Sequence, residues 1–305
     1  MSNADYVDFQ QLVKAIDPGM ELLHVQPLHG GLSAQATALN VAWQDGRQEK
    51  LLVRRPSAEA LLEYPDACVN EFKLLTFLYA SGLKVPKPVY LDNSGNFFGT
   101  PNITLAFING AVELSPKDVS NYIQQLALQM AAFHLLPLTN EILAVKKRAP
   151  ELPGSIDATC NTEEIKTLAL LRDTWPLPSK NAPVLIHGDY WPGNVVWKND
   201  QLAAVIDWED AGIGDPLLDL AIARLDILLL FGQEAMSAFT QVYAASTQTD
   251  LSTLPHWDLW ASTRLIGAVS KWESVYPGLG RPDVTETLIR ERHRYFMEQA
   301  FAKMQ

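Results

Sequence analysis

Cysteine is nearly absent from the chain. Cys68 and Cys160 are the only two among 305 residues, and they lie far apart. Two cysteines make no disulfide framework, and no Cys-x-x-Cys pair is present to hold zinc. Both read as buried or inert thiols of a reducing cytosol, so a cytoplasmic location is expected. Long apolar runs are also missing: the five residues 227–231 are as long as any, far short of a bilayer span, and no membrane association is expected. The opening MSNADYVDFQ carries acids and no apolar stretch, so no signal peptide is read. Basic residues are few, with 24 Lys and Arg against 35 Asp and Glu and a formal net charge of -11. A phosphate backbone needs clustered cations, so nucleic acid is excluded as the main partner. The same balance keeps a chain soluble and is compatible with a cationic small substrate. The six histidines are scattered, and no repeat or low-complexity segment stands out. No obligate protein partner is evident.

What is present is an ordinary globular composition, 48% hydrophobic and 19% charged. Its length favours two lobes over one core. Residues 5–16 have helical periodicity, and Asp17-Pro18-Gly19 stops them. Strand-like runs follow at 22–28, 36–43 and 50–55, with the hairpin signal Asp45-Gly46 between the last two. A helix is predicted over 66–80 and a strand over 103–108, after which Asn109-Gly110 breaks the chain. Beyond that point the pattern is mainly helical: 120–136, a helix from Pro216 to Phe231 capped by Asp215, then 257–272 and 284–303. Short strands at 184–186, 195–197 and 203–206 surround an Asn199-Asp200 turn. The fold class read from this order is α+β. A small antiparallel β-lobe with one main helix covers 1–108, and a larger, mainly helical lobe covers 109–305.

Chemistry concentrates in residues 187–207. His187-Gly-Asp189-Tyr-Trp-Pro-Gly-Asn194 leaves one strand and enters the next, and Ile206-Asp207-Trp208 ends a later one. Asp189, Asn194 and Asp207 therefore fall at strand ends or in the connecting loop. Transfer of a phosphoryl group needs a carboxylate to position the attacking hydroxyl, and hard oxygen ligands for Mg²⁺. Asp189 suits the first role; Asn194 and Asp207 suit the second. His187 reads as a loop scaffold and His134, on an apolar helix face, as a core residue.

The two blocks 187–194 and 205–221 resemble the signature of the aminoglycoside phosphotransferase family, which includes choline-kinase-like and homoserine-kinase-like enzymes and shares the protein-kinase fold. The resemblance implies that Asp189 is the catalytic Asp, that Asn194 and Asp207 bind Mg²⁺, and that ATP is the phosphoryl donor. It further implies that Arg54, at the end of a strand, holds phosphates and pairs with the helix residue Glu71. Gly30, Gly31 and Ser33 correspond to the loop over the phosphates, and the stretch including Ala106 and Ile108 to the hinge that takes adenine through its backbone. Family hinges often carry an acid where Ala106 stands. Asp219 would brace the catalytic loop, and Trp257, Trp260 and Trp272 would lie on helices near a substrate. The expected activity is a small-molecule kinase acting on a hydroxylated substrate. A catalytically silent nucleotide- or metabolite-binding pseudokinase is the alternative, which retention of all three chemical residues opposes. A binuclear phosphoesterase lacks its histidine ligands here, and a protein kinase lacks Asp-Phe-Gly and Ala-Pro-Glu. Glu209, Asp210, Asp226 and Glu273 would favour a cationic acceptor if they face it.

Overall fold

A computed structural model describes residues 3–28, 34–139, 146–152 and 160–304. The chain forms two compact units. The first joins Met1–Asn109 to the distant segment Ala204–Glu209; the second comprises Gly110–Ala203 and Asp210–Gln305. Thus the segment carrying Asp207 groups with the first unit although it lies deep in the second half of the sequence.

In the first unit, helix α1 (Asn3–Ile16) precedes strands β1 (Glu21–Leu28), β2 (Ala34–Ala42) and β3 (Gln48–Pro56). Helices α2 (Ala58–Glu63) and α3 (Ala67–Ala80) follow, then β4 (Pro88–Asp92) and β5 (Asn102–Ala106). The sheet order is β1-β2-β3-β5-β4, and every pairing is antiparallel. The β2–β3 hairpin closes where expected: Gly46 adopts a φ of 82° and donates to Trp43 O at 2.9 Å. Strand alternation decides the core. Leu39 and Val41 of β2, with Leu51 and Val53 of β3, pack on Phe9, Leu12 and Val13 of α1. The expected strand at 103–108 ends at Ala106, whose N–H donates across to Lys87 O at 2.8 Å.

The second unit holds β6 (Ala111–Val112), α4 (Val119–His134), α5 (Thr162–Asp173), β7 (Val184–Ile186), β8 (Val195–Lys198), β9 (Gln201–Val205, whose last residues pass into the first unit) and β10 (Gly212–Gly214). Strands β6, β8 and β9 form one small sheet, and β7 pairs with β10. Asn199 and Asp200 take φ of 51° and 59°, the paired left-handed conformation of a tight two-residue hairpin loop. Helix α6 (Leu217–Phe231) follows. It starts at Leu217, one residue later than expected, with Pro216 and not Asp215 as its N-cap residue, although the Asp215 carboxylate still accepts the Leu217 N–H at 2.9 Å. Then come α7 (Gln233–Ser246), α8 (Leu254–Ser262), α9 (Val269–Glu273) and α10 (Glu286–Ala302). The single helix expected over 257–272 is instead α8, a 3₁₀ turn at Thr263–Leu265 and the short α9. Gly267 between them has a φ of 69°, which no right-handed helix contains.

Helix α6 is apolar on all sides, and Leu217 to Leu230 are buried throughout. Three charged residues sit within it, and each has a partner. Arg224 forms a fork on Asp258, with Nε and Nη2 at 3.0 and 2.8 Å from its two oxygens. Asp219 and Asp226 serve the site described next. No helix among the described residues is long and apolar enough to cross a membrane.

Candidate active site

In the second unit the loop after β7 is held from behind. Asp219, in the first turn of α6 and fully buried, accepts the N–H of His187 at 2.6 Å and that of Gly188 at 2.8 Å. His134 Nε2 lies 3.2 Å from the same carboxylate, and its Nδ1 lies 2.8 Å from the Tyr243 hydroxyl, so this core histidine is satisfied on both sides. Gly188 has a φ of 86°, and a Cβ there would stand 2.4 Å from the carbonyl oxygen of Asp210. Only glycine fits the turn that precedes Asp189. His187 Nδ1 faces the Asp189 N–H at 3.3 Å, the scaffold role its position suggests.

Asn194 closes the other side. It ends the 3₁₀ turn Pro192–Asn194, and its Nδ2 donates to the main-chain oxygen of Asp189 at 2.9 Å and to Asp189 Oδ2 at 3.3 Å. With the amide nitrogen turned toward Asp189, the amide oxygen is directed away from it, a suitable ligand for a hard cation. Gly193 is required for packing as well: a Cβ would stand 2.1 Å from the Trp191 ring.

Asp189 has a second partner that the sequence did not announce. Arg264 Nη2 donates to Asp189 Oδ1 at 2.7 Å, and its Nη1 lies 3.5 Å from Asp226 Oδ2. The guanidinium is 5.4 Å from the Trp272 ring centroid. These groups, with Trp191, Lys271, Val275 and Tyr276, line a cavity of about 210 Å³. Asp226 is 3% exposed at its side chain. Burial pushes its carboxyl up to about 7, Arg264 pulls it down, and Asp189 adds to the rise. Tyr276 is driven upward by burial, with Asp226 contributing.

The first unit holds a separate charged set. Arg54 on β3 projects from the face opposite Val53, and its Nη1 donates to Glu71 of α3. Its Nη2 donates to Asp207 Oδ1 at 2.9 Å and to Glu209 Oε2 at 3.2 Å. Arg55, one residue on, continues the α1 side of the strand, with its guanidinium 4.6 Å from the Phe98 ring and donating to Gln35 at 2.8 Å. Alternation along β3 thus selects Arg54 over Arg55 as the partner of Glu71. Burial opposes the charge on Arg54, but the carboxylates of Glu71, Asp207 and Glu209 outweigh it and its pKa is raised. Burial also pushes the Glu71 carboxyl up, against the pull of Arg54. Asp207 sits at a φ of 67°, in the left-handed region that Asp tolerates better than most side chains. Its segment is anchored by the Val205 N–H on Lys84 O at 2.8 Å and by the buried Trp208, whose indole N–H donates to Val205 O at 3.0 Å.

The other predicted residues fall as follows. Gly30, Gly31 and Ser33 lie outside the described residues. Ala106 ends β5, and Ile108, two residues on, is half-buried. Trp257 is buried, with its indole on Pro178 O at 3.1 Å, and Trp260 donates to Glu151 O at 3.1 Å. Neither lines the cavity; Trp272 does. The four acids considered for a cationic acceptor all have partners: Glu209 on Arg54, Asp210 on Arg148 at 2.6 Å, Asp226 beside Arg264, and Glu273 accepting the Glu286 N–H at 3.2 Å. Among the described residues no three His, Cys, Asp or Glu side chains form a ready-made metal cage. Mg²⁺ needs none, since one or two protein ligands with phosphate oxygens and water suffice.

Comparison with known proteins places this geometry in context. Homoserine kinase from Methylocella silvestris is 28% identical over 165 residues, covering 49% of this chain and 50% of that protein. Acyl-CoA dehydrogenase family member 11 of Homo sapiens is 28% identical over 199 residues, covering 58% of this chain and 25% of that protein. The chain therefore spans half or less of the length of these curated relatives. Among solved structures, the GDP complex of wild-type aminoglycoside 2'-phosphotransferase-IIIa superposes with a TM-score of 0.65 at 19% identity, covering 100% of both chains. The fold is thus the α+β, protein-kinase-like one. The model of the phosphotransferase enzyme family matches residues 24–260. With most of its length inside that match, the chain belongs to the phosphotransferase enzyme family of aminoglycoside phosphotransferase-like proteins.

Proposed function

We propose that the protein is a small-molecule kinase that moves the γ-phosphate of ATP to a hydroxyl group, with Asp189 as the general base. The observation that carries this reading is the fixing of Asp189: two main-chain N–H groups before it are clamped by buried Asp219, and Asn194 holds its carbonyl and one carboxylate oxygen. A carboxylate positioned this firmly can orient an acceptor hydroxyl and take its proton as the new bond forms. Asn194, through its amide oxygen, and Asp207, through the oxygen not engaged by Arg54, are the metal ligands in this reading. Bound Mg²⁺ would offset charge on the transferring phosphoryl oxygens. Arg54, braced by Glu71, would hold the donor's phosphates, aided by backbone N–H groups of Gly30, Gly31 and Ser33, while Ala106 and Ile108 would present main-chain groups to adenine. The reaction is assigned to the cytosol.

Replacing Asp189 with Ala tests it. Transfer to every acceptor should be lost, while MgATP still raises the melting temperature as in the wild type. Full activity in that variant would sink the assignment. One observation favours a silent binding protein instead: Arg264 occupies Asp189 Oδ1 at 2.7 Å. That reading predicts MgATP binding with no transfer across a broad screen of hydroxylated metabolites and antibiotics.

A further inference from the structure

The cavity beside Asp189 has a chemistry of its own. Its walls are aromatic and aliphatic, from Trp191, Trp272, Val275 and Tyr276. Its polar groups are two cations, Arg264 and Lys271, and two carboxylates, Asp189 and Asp226. The carboxylates are already committed: both face Arg264, at 2.7 and 3.5 Å, and Asp226 is buried behind it. Lys271 is exposed, and its ammonium pairs with no described residue. A cation entering here would find each acid engaged and two like charges at the wall. An anion would find a free ammonium and, beside it, a guanidinium that can exchange its bond to Asp189 Oδ1 for one to the incoming carboxylate. Burial also keeps Asp226 partly protonated near neutrality, which leaves Arg264 incompletely neutralised.

We infer that the acceptor is a hydroxylated carboxylic acid with an apolar body, its carboxylate held by Arg264 and Lys271, its body against Trp191 and Trp272, and its hydroxyl on Asp189. The inference rests on the phosphotransfer reading for its chemical step, but the choice of an anion rests on the cavity alone. Competition from the acceptor's carboxylate draws Arg264 off Asp189 Oδ1, so that oxygen becomes available to the hydroxyl. In the transfer, the hydroxyl oxygen bonds to the γ-phosphorus and the bond from that phosphorus to the β–γ bridging oxygen breaks. ADP departs with the electron pair, and the hydroxyl proton passes to Asp189. The cavity's size limits the part that enters to roughly that of a short acid or one aromatic ring, well below most ligand sites.

The test uses the full chain and matched probes: short hydroxy acids (roughly four to eight carbons), the primary amides of the same skeletons, and the corresponding amino alcohols. Binding is measured by calorimetry and transfer by ADP release with MgATP. At least one acid should bind about 10-fold or more tightly than its amide and its amine. Lys271→Met should weaken that acid roughly 10-fold while leaving the amide unchanged, and Lys271→Arg should restore much of the loss. Equal or tighter binding of the amides or amines overturns the inference, as does failure of every acid to bind. Acid-selective binding without ADP release would preserve the cavity assignment and defeat the kinase reading instead.

Discussion

Two arginines organise charge in this chain, one in each compact unit, and they do so in opposite ways. Arg54 is met by three carboxylates, Glu71, Asp207 and Glu209, so its set carries a formal excess of two negative charges. Arg264 is met by two, Asp189 and Asp226, and a second cation, Lys271, stands beside it, so its set is formally neutral. The first arrangement has oxygen ligands to spare and suits added positive charge such as a metal ion. In the second, both acids turn to Arg264 and leave Lys271 without a carboxylate of its own, the basis of the anion proposed above. Without that difference, the chain's overall acidity would suggest that every polar site on it attracts cations; local pairing reverses the inference in the second set.

The contrast can be broken at several points. The largest effect should come from Asp189→Asn, which keeps the shape of the loop and removes the proposed proton acceptor. It should lower kcat roughly 10²–10⁴-fold with stability little changed, as read from steady-state kinetics and urea denaturation together. Next is Asp226→Asn. The folded protein holds this carboxyl near 7, above its ordinary value of 3.8, so the folded state keeps a proton that the unfolded chain releases. Its contribution to stability is therefore complete below about pH 4 and is lost as pH rises toward 7. The charged groups facing it are Arg264 and Asp189, with Tyr276 close by. Urea titrations from pH 4 to 8 should show the variant gaining on the wild type across that window, by at most roughly 1.4 kcal/mol per pH unit, and then levelling off. A flat difference would mean that Asp226 is not held protonated.

In the other unit, Arg54→Met leaves three carboxylates facing one another. It should cost about 2–3 kcal/mol in chemical denaturation, less than for a fully buried pair because Asp207 and Glu209 reach solvent. Mg²⁺ alone, at ten times its dissociation constant, should stabilise the wild type by about 1.4 kcal/mol, with no such gain in Asp207→Asn. Equal stabilisation of both would place the ion elsewhere and remove the contrast. Smallest of all is Arg47→Ala, whose pairs with Asp45 and Glu49 are largely exposed and should leave denaturation midpoints unmoved.

What the sequence revealed of these two sets depended on distance along the chain. Asp189 and Asn194 share one loop five residues apart, so their chemistry is readable as a contiguous phrase. Arg54 and Glu71 are seventeen apart, and it was the family resemblance, not a local pattern, that paired them. Alternation along β3 then supplies the physical reason for choosing Arg54. Arg264 is seventy-five residues from Asp189, on a 3₁₀ turn inside what periodicity takes for one unbroken helix. Helical spacing registers the apolar face of such a stretch, but not the local break at Gly267 that redirects it. Asp226 was visible as an acid in an apolar helix. Its burial, and hence its pairing, was not, because burial on every side depends on elements that arrive later in the chain. The antiparallel sheet and most helices were legible because their patterns are local.

Helix α6 has a further consequence. Asp219 and Asp226 are seven residues apart, which in an α-helix means about 10 Å along the axis and nearly the same face. One holds the backbone just before Asp189, and the other faces the arginine that grips the Asp189 carboxylate. The helix is thus a gauge block: its rise sets the spacing between the support and the counter-charge, and its burial on all sides prevents it from turning. A single residue inserted between the two would swing one of them by roughly 100° and disable both functions together. Alterations confined to the cavity wall at 271–276 would leave the helix itself unchanged. In a laboratory search for new acceptors, the residues to vary are therefore those around the cavity at 271–276, with 217–231 held constant.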